Sequence, residues 1–121
     1  MTGGPVFAAE VRRRGTTVVI DLHGQVNALA RDEIDQALEE ILGTAPRRIL
    51  LNFAATSFIN STGIALVVGM LGRARASDVK VEACGLSDHY REIFEITRLV
   101  DFMVIHSDEA SAFGGEEGEN G

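Results

Sequence analysis

The stretch RILLNFAATSFINSTGI, residues 48–64, gives the clearest indication of the fold. Its first part, Arg48 to Phe53, is apolar with little alternation, which is typical of a β-strand covered on both faces. A polar connection, Ala54 to Asn60, follows, and Ser61 to Arg75 is long enough for a helix. Apolar residues lie on two sides of that helix, so it either packs against other elements on both sides or binds a partner. A central strand that leads into such a helix indicates an α/β domain.

The residues after this helix continue the alternation of strand and helix. Val79 to Cys84 is strand-like, and Ser87 is suited to cap a short helix behind it. Phe102 to Ile105 predicts a last strand. Ser107 to Glu109 opens a final helical turn or two.

Upstream, the two apolar stretches between Val6 and Leu22 predict a β-hairpin that turns at Gly15. A charged helix follows, because apolar residues recur at helical spacing at Ile34, Leu38, Ile41 and Leu42. The whole order predicts a mixed, mostly parallel sheet of about four to five strands with crossover helices and an N-terminal hairpin. We expect one domain over residues 1–113 and a disordered, acidic, glycine-rich tail over residues 114–121.

Charge and composition exclude several classes of protein. The 11 Lys and Arg against 18 Asp and Glu give a net charge of -7, which repels nucleic acid and anionic lipid. No apolar run is long enough to span a membrane, and the N-terminus lacks the pattern of a signal peptide. Since Cys84 is the single cysteine, no internal disulfide is possible. We therefore expect a cytoplasmic protein that binds neither nucleic acid nor membrane.

The run Asn60-Ser61-Thr62-Gly63 places two hydroxyls where a strand passes into a helix, a common ligand position in α/β sheets. A serine there serves as a helix cap, a nucleophile or a phosphate site. The esterase elbow requires glycine where Ile59 stands, and no glycine-rich phosphate loop is present. The three histidines are scattered without ligand spacing, so no metal site and no cofactor is expected.

Two interpretations of the helix start remain. In the first, Asn60 or Ser61 caps free N–H groups and stabilises the helix by roughly 1 kcal/mol. In the second, a phosphate on Ser61 meets the positive end of the helix dipole and adds about −1.5 to −2 charges to an apolar surface. Such a phosphate would switch off a partner with little refolding.

These residues carry a resemblance to a known family. From Val6 to Phe113 the chain resembles the bacterial anti-sigma factor antagonists built on a single STAS domain. The resemblance rests on Leu22-His-Gly24 and on residues 51–64, and residues 81–86 and 93–99 extend it.

The resemblance implies a non-enzymatic switch of transcription, as used in stress responses. In that family the unphosphorylated antagonist binds an anti-sigma factor that is also a Ser/Thr kinase, which releases a sigma factor. Phosphorylation of the motif serine ends the interaction, and a PP2C-type phosphatase resets it. The matching serine is Ser61, with Thr62 the neighbouring hydroxyl, and the kinase brings ATP and Mg²⁺.

We predict that the partner-binding surface combines the loop after the second strand, the motif and the outward side of the following helix. Its residues are Gly24, Asn27, Phe58, Ile59, Asn60, Ser61, Thr62, Gly63, Leu66, Met70 and Arg73. Leu66 and Met70 have a second interpretation, an ordinary packing role in the core.

The chain departs from the family at two positions. Asn60 precedes the serine and Asn27 lies in the loop, where family members commonly carry acidic residues. The loss of charge either slows phosphorylation or lessens the repulsion of a phosphoserine. The first alternative is therefore a scaffold or sensor subunit that is not phosphorylated. The second is a small-molecule-binding module.

Overall fold

A computed structural model describes residues 7–119, with the surroundings of side chains through Gly114. The strands are β1 (Phe7–Arg14), β2 (Thr17–Val26), β3 (Arg48–Asn52), β4 (Thr56–Ile59), β5 (Lys80–Cys84) and β6 (Val104–His106). The helices are α1 (Arg31–Leu42), α2 (Ser61–Ala76), α3 (Asp88–Ile96) and α4 (Glu109–Glu119), with 3₁₀ turns at Ala28–Ala30 and Leu99–Asp101.

The strands form one mixed sheet in the order β1-β2-β3-β5-β6, and β4 also pairs with β2. β1 and β2 form the antiparallel hairpin, which turns at Gly15 with φ 63°, and the other pairs are parallel. The predicted mixed, mostly parallel α/β fold is confirmed. The sheet has six strands, one more than the upper end of the prediction.

The additional strand is β4, which lies inside the connection that the sequence analysis treated as polar loop. β2 has 10 residues and continues beyond the end of β3, so part of its edge is free for another strand. β4 occupies this edge, from Gly24 opposite Thr56 to Val26 opposite Ile59. Gly24 has φ 90° and stands at a register shift, which lets β2 change from β3 to β4. A four-residue strand without alternation leaves no periodic signal.

The main core lies between the sheet and helices α1 and α2. Ile34, Leu38 and Ile41 are buried on α1, as their spacing predicts. β3 is covered on both faces, because Ile49 and Leu51 belong to the main core and Leu50 to a smaller cluster on the other face. The prediction of a central β3 is confirmed.

The other face of the sheet carries α4 over a small apolar cluster, with charged side chains around it. Glu109, at the start of this helix, accepts hydrogen bonds from Arg12 at 2.8 Å and from Arg14 at 3.0 Å. Phe113 lies below two guanidinium groups, with Arg14 3.8 Å and Arg48 4.7 Å from the ring centroid. Ion pairs and cation–π contacts therefore hold α4 on the sheet.

α4 is longer than predicted. The backbone of residues 114–119, which the sequence analysis assigned to a tail, continues the helix to Glu119. Residues 120–121 of that segment, like residues 1–6, lie outside the described residues. The glycines in this segment suggested an earlier end, but glycine weakens a helix by only about 1 kcal/mol, and glutamate is a good helix former.

Arg12 links the hairpin to α4 through two carboxylates. Its guanidinium also donates to both carboxylate oxygens of Asp21, at 2.6 and 2.8 Å. These hydrogen bonds hold the pKa of Asp21 and that of Glu109 below their ordinary values, although burial acts in the opposite direction. Beneath α4, burial raises the pKa of the Cys84 thiol to about 11, so this buried cysteine stays protonated.

We expect the Arg12 pairs to make stability depend on acid pH. Because the folded-state pKa of each carboxyl is lowered, the contribution is complete above the ordinary carboxyl pKa and is lost as the pH falls toward the folded value. Arg12→Met should therefore lower the urea midpoint at pH 7 and lose less stability than the wild type between about pH 5 and pH 3. Arg13→Met is the control, since Arg13 is exposed and its side chain bonds Thr44. Parallel pH profiles for wild type and Arg12→Met would contradict this account.

Candidate functional site

The candidate site lies where β2 and β4 end side by side. Val26 and Ile59 are register partners, and the N–H of Asn60 donates to the carbonyl of Val26 at 3.2 Å. The residues that follow the two strands, Asn27 and Asn60, are therefore brought to the same edge of the sheet. This edge is at the carboxyl ends of the parallel strands, as the sequence analysis expects for a functional site.

Each asparagine caps a helical segment. Asn60 Oδ1 accepts the N–H of Gly63 at 2.8 Å at the start of α2. Asn27 Oδ1 accepts the N–H of Leu29 at 2.9 Å at the start of the 3₁₀ turn. Of the two capping candidates at α2, Asn60 is thus the cap. Both side chains are neutral, so the caps bring no charge to the site.

Ser61 is exposed and is the first residue of α2. Because Asn60 supplies the cap, the Ser61 hydroxyl makes no hydrogen bond within the described part of the chain. The N–H groups of the first helical turn have only partial intrahelical partners, and the helix dipole places positive charge here. An anion on Ser61 would therefore be stabilised by the same backbone that presents the hydroxyl. Thr62 is half-buried and less accessible.

Gly63 brings the first turn of α2 onto the end of β2. A Cβ atom at this position would clash with the carbonyl oxygen of Val26 and lie 2.9 Å from Cγ2 of Ile59. Glycine is thus required here by the approach of two backbones and not by its φ angle. Since Gly63 is itself buried, its place in the predicted surface is a positioning role.

Three exposed apolar side chains belong to the segments that border Ser61. Leu29 on the 3₁₀ turn is 77% exposed, Phe58 on β4 is 46% exposed and Val68 on α2 is 49% exposed. Val68 is seven residues after Ser61 and therefore lies on the same side of the helix. We call these three residues, together with Gly24, Gln25, Asn27, Asn60, Ser61 and Thr62, the Ser61 surface.

Part of the predicted partner surface is wrong. Leu66 and Met70 are 5% and 3% exposed and belong to the main core, because α2 packs against both the sheet and α1. Ile59 is also buried. The exposed residues in the middle of α2 are Ala65, Val68, Gly69, Gly72 and Arg73, and Ser61, Arg75 and Ala76 are exposed at its ends. The small residues among them offer no apolar signal, so only the packing of α2 reveals which side is free.

Side chains that are remote in the sequence hold β4 in place. The Tyr90 hydroxyl, from α3, accepts the N–H of Ile59 at 3.0 Å. The Thr56 hydroxyl donates to the carbonyl of Leu22 at 2.7 Å. Sequence reasoning missed both roles, together with the exposure of Leu29 and Val68, since no local pattern distinguishes them.

A nucleophilic serine is activated by an adjacent general base among its neighbouring side chains. In the described residues, the Ser61 hydroxyl has no histidine or carboxylate within hydrogen-bond distance. A cavity of about 140 Å³ lies nearby, but Phe53, Tyr90 and neighbouring residues line it, and Ser61 does not.

One group of side chains has the composition of a metal site. The ligand atoms of Glu10, Asp21 and His23 lie within 4.8 Å of one another. Arg12 and Asn52 already donate to Asp21, however, and the guanidinium charge opposes a cation at this position. Through Asp21, the group therefore joins the ion pairs of Arg12.

Fold and site together define an α/β domain with a mixed sheet and an exposed serine at a helix start. A family model described as the STAS domain matches residues 8–112. The chain belongs to the STAS domain family. An anti-sigma-B factor antagonist of Staphylococcus aureus is 29% identical over 87 residues, which cover 72% of this chain and 81% of that protein.

Solved structures agree with this assignment. An anti-sigma factor antagonist from Mycobacterium paratuberculosis has a TM-score of 0.78 at 13% identity, covering 90% of this chain and 92% of that chain. The phosphorylated form of SpoIIAA, a Bacillus cell fate determinant, has a TM-score of 0.70 at 25% identity, covering 89% and 98%. The predicted family and fold are confirmed. Within residues 7–119, no helix combines the length and apolar character needed to cross a membrane.

We expect Gly63→Ala to destabilise the domain by about 1–3 kcal/mol, because the new methyl group forces α2 away from β2. The measurement is urea unfolding at neutral pH. Gly69→Ala is a matched control on the same helix, since its Cβ would meet nothing within 4 Å. This control should gain about 0.5–1 kcal/mol from helix propensity. Equal effects of the two substitutions would disprove the close approach at Gly63.

Proposed function

We propose that the chain is a cytoplasmic anti-sigma factor antagonist that binds an anti-sigma factor with Ser/Thr kinase activity. Phosphorylation of Ser61 ends the interaction, and a PP2C-type phosphatase restores it. The observation that carries this proposal is the exposed Ser61 hydroxyl at the capped start of α2, bordered by exposed apolar side chains. The antagonist relative and the phosphorylated form of SpoIIAA support it.

In the unphosphorylated state, the Ser61 surface offers apolar contacts and no charged group at its centre. Phe58 and Leu29 would lose their exposed area to the partner, which favours association. Asn27 and Asn60 are neutral and already use their oxygens in capping. A partner would therefore meet a preformed surface and would not need to order it.

The kinase supplies ATP and Mg²⁺ for the transfer. The Ser61 oxygen attacks the γ-phosphorus, so that a new O–P bond forms while the bond from the γ-phosphorus to ADP breaks. The hydroxyl proton passes to a base of the kinase. The phosphatase later hydrolyses the phosphoserine with water, which returns the hydroxyl and releases inorganic phosphate.

The phosphate would disrupt binding without unfolding the domain. Its charge of about −1.5 to −2 favours the amino end of α2, so the fold is preserved. The same charge lies among apolar side chains that the partner must desolvate, which makes association unfavourable. The switch thus acts at the surface, and Gly63 and Asn60 keep the helix start in place in both states.

Because Asn27 and Asn60 are neutral, they do not repel a phosphate on Ser61. An aspartate at position 60 would place a second negative charge beside the phosphate, whereas Asn60 retains the cap without it. The same neutrality supports the second candidate, a STAS scaffold or sensor subunit that is never phosphorylated, if the kinase requires acidic residues at these positions.

We expect the cognate kinase to phosphorylate the wild type and Ser77→Ala but not Ser61→Ala, measured by radiolabel transfer and mass spectrometry. Ser77 is also exposed, at the other end of α2, and is the matched control. Ser61→Asp should weaken binding to the anti-sigma factor about tenfold or more, because it adds a negative charge to the apolar surface.

Two outcomes would contradict the proposal. Equal affinities of Ser61→Ala and Ser61→Asp would mean that charge at this position does not control binding. Binding without any transfer to Ser61 would favour the scaffold or sensor subunit.

Asn60→Asp tests the role of the neutral cap. Since aspartate also caps and its charge suits a helix N-terminus, we expect a gain of about 0.3–1 kcal/mol in the wild-type background. In the Ser61→Asp background the gain should shrink, because the two carboxylates repel each other. Urea unfolding of the four proteins gives the coupling energy, and additive effects would show that residue 60 does not sense charge on residue 61.

A further inference from the structure

A second surface feature lies at the opposite edge of the sheet from Ser61. An open groove of about 1270 Å³ crosses the beginnings of β3, β5 and β6. We call it the basic groove and define it by Arg47, Arg75, Lys80, Phe102 and Val104, which all line it. Arg75, which lines the groove, follows Ser61 by 14 residues on α2, so about 21 Å of helix lies between these two residues.

The charge of the groove is opposite to that of the chain. Although the net charge of the protein is -7, five cations line the groove beside three carboxylates. The cations are Arg14, Arg47, Arg48, Arg75 and Lys80, and the carboxylates are Asp78, Glu82 and Asp101. The groove is therefore a local exception in an acidic protein.

Sorting these charges by partner leaves three cations beside one carboxylate, Asp78, because Glu82 pairs with Arg48 and Asp101 pairs with Arg98. Arg48 pairs with Glu82 at 2.6 Å and Arg14 pairs with Glu109 at 3.0 Å, so the structure already uses them. Arg47, Arg75 and Lys80 are exposed, and in the part of the chain with described side chains they form no ion pair. An anionic ligand would supply the negative charges for ion pairs with these three side chains.

The cations stand beside exposed apolar surface. Phe102 is 55% exposed and Val104 is 56% exposed, at the junction of the second 3₁₀ turn and β6. The Arg75 guanidinium lies 5.6 Å from the centroid of the Phe102 ring, so charge and apolar area are contiguous. A ligand that uses both must carry negative charges and apolar groups close together.

We propose that the basic groove binds an acidic polypeptide segment of a second protein, one in which Asp or Glu alternates with apolar side chains. The carboxylates would pair with Arg47, Arg75 and Lys80, and an apolar side chain would cover Phe102 and Val104. A double-stranded nucleic acid fits less well, because it carries a negative charge about every 1.7 Å, so the net charge of -7 opposes it more strongly than a segment in which apolar residues separate the carboxylates. The open shape also suits an extended segment better than a small anion.

The position of the groove has a functional consequence. Because Ser61 follows the end of β4 and the groove lies where the parallel strands begin, one partner at each site fits without overlap. The acidic segment therefore binds regardless of the state of Ser61. This proposal does not depend on the phosphorylation switch.

The test uses the full chain and a short fluorescein-labelled peptide in which glutamate alternates with leucine. Binding is followed by fluorescence anisotropy at low ionic strength. We expect Lys80→Glu to weaken binding about tenfold and Phe102→Ser to weaken it as well, while added salt acts in the same direction. Arg31→Glu is the matched control, since it makes the same change of charge on an exposed arginine outside the groove.

Amide chemical shifts in the presence of the peptide locate the site. Changes at Phe102 and Val104 without changes at Ser61 would support the proposal. Phosphorylation of Lys80→Glu by the kinase at the wild-type rate would show that groove and switch are separate, so that either proposal can fail alone.

Three results would overturn the proposal. Equal weakening by Lys80→Glu and Arg31→Glu would show attraction to charge without a site. Heparin that competes as well as the unlabelled peptide would show a surface for polyanions of any kind. Tighter binding after combined Glu116→Gln, Glu117→Gln and Glu119→Gln would show that the chain's own acidic segment is the occupant.

Discussion

The approach of the first turn of α2 to the end of β2 is the constraint on which the rest of the site depends. Only glycine at position 63 leaves room for the Val26 carbonyl, which itself accepts the N–H of Asn60. This contact fixes where the helix begins and leaves Asn60 to cap it. As a result, the Ser61 hydroxyl is exposed to solvent and does not cap the helix. The chemistry that we propose for Ser61 follows from this division of roles between neighbouring residues.

The two faces of the sheet are held by different forces. On the side of α1 and α2 the contacts are apolar and extensive. On the side of α4 a small apolar cluster is surrounded by arginines and carboxylates, with Arg12 joined to both Asp21 and Glu109. The ion pairs that join α4 to the sheet are therefore on one face, while the two candidate interaction surfaces lie at opposite edges of the sheet. This separation allows each surface to change its occupancy without disturbing the core.

Residues with a strong local pattern were predictable. The apolar run of β3, the spacing of Ile34, Leu38 and Ile41 on α1, and the Ser87 cap of α3 all depend on neighbours along the chain. β4 was not predictable, because it exists only where β2 extends past β3 and Gly24 shifts the register. The exposed side of α2 was not predictable either, since most of the apolar residues on both sides of that helix are buried in the fold.

Periodicity, charge and turn chemistry are local properties, so the sequence was sufficient to predict the α/β class, the order of most elements, the acidic charge and the position of the serine motif. The tertiary structure was needed to show that Asn60 and not Ser61 caps α2, that Leu66 and Met70 are buried, and that five cations line a groove at the far edge of the sheet. These outcomes depend on which distant segments come together. The packing of these segments buries some side chains and leaves others exposed, and only the exposed side chains can contact a partner.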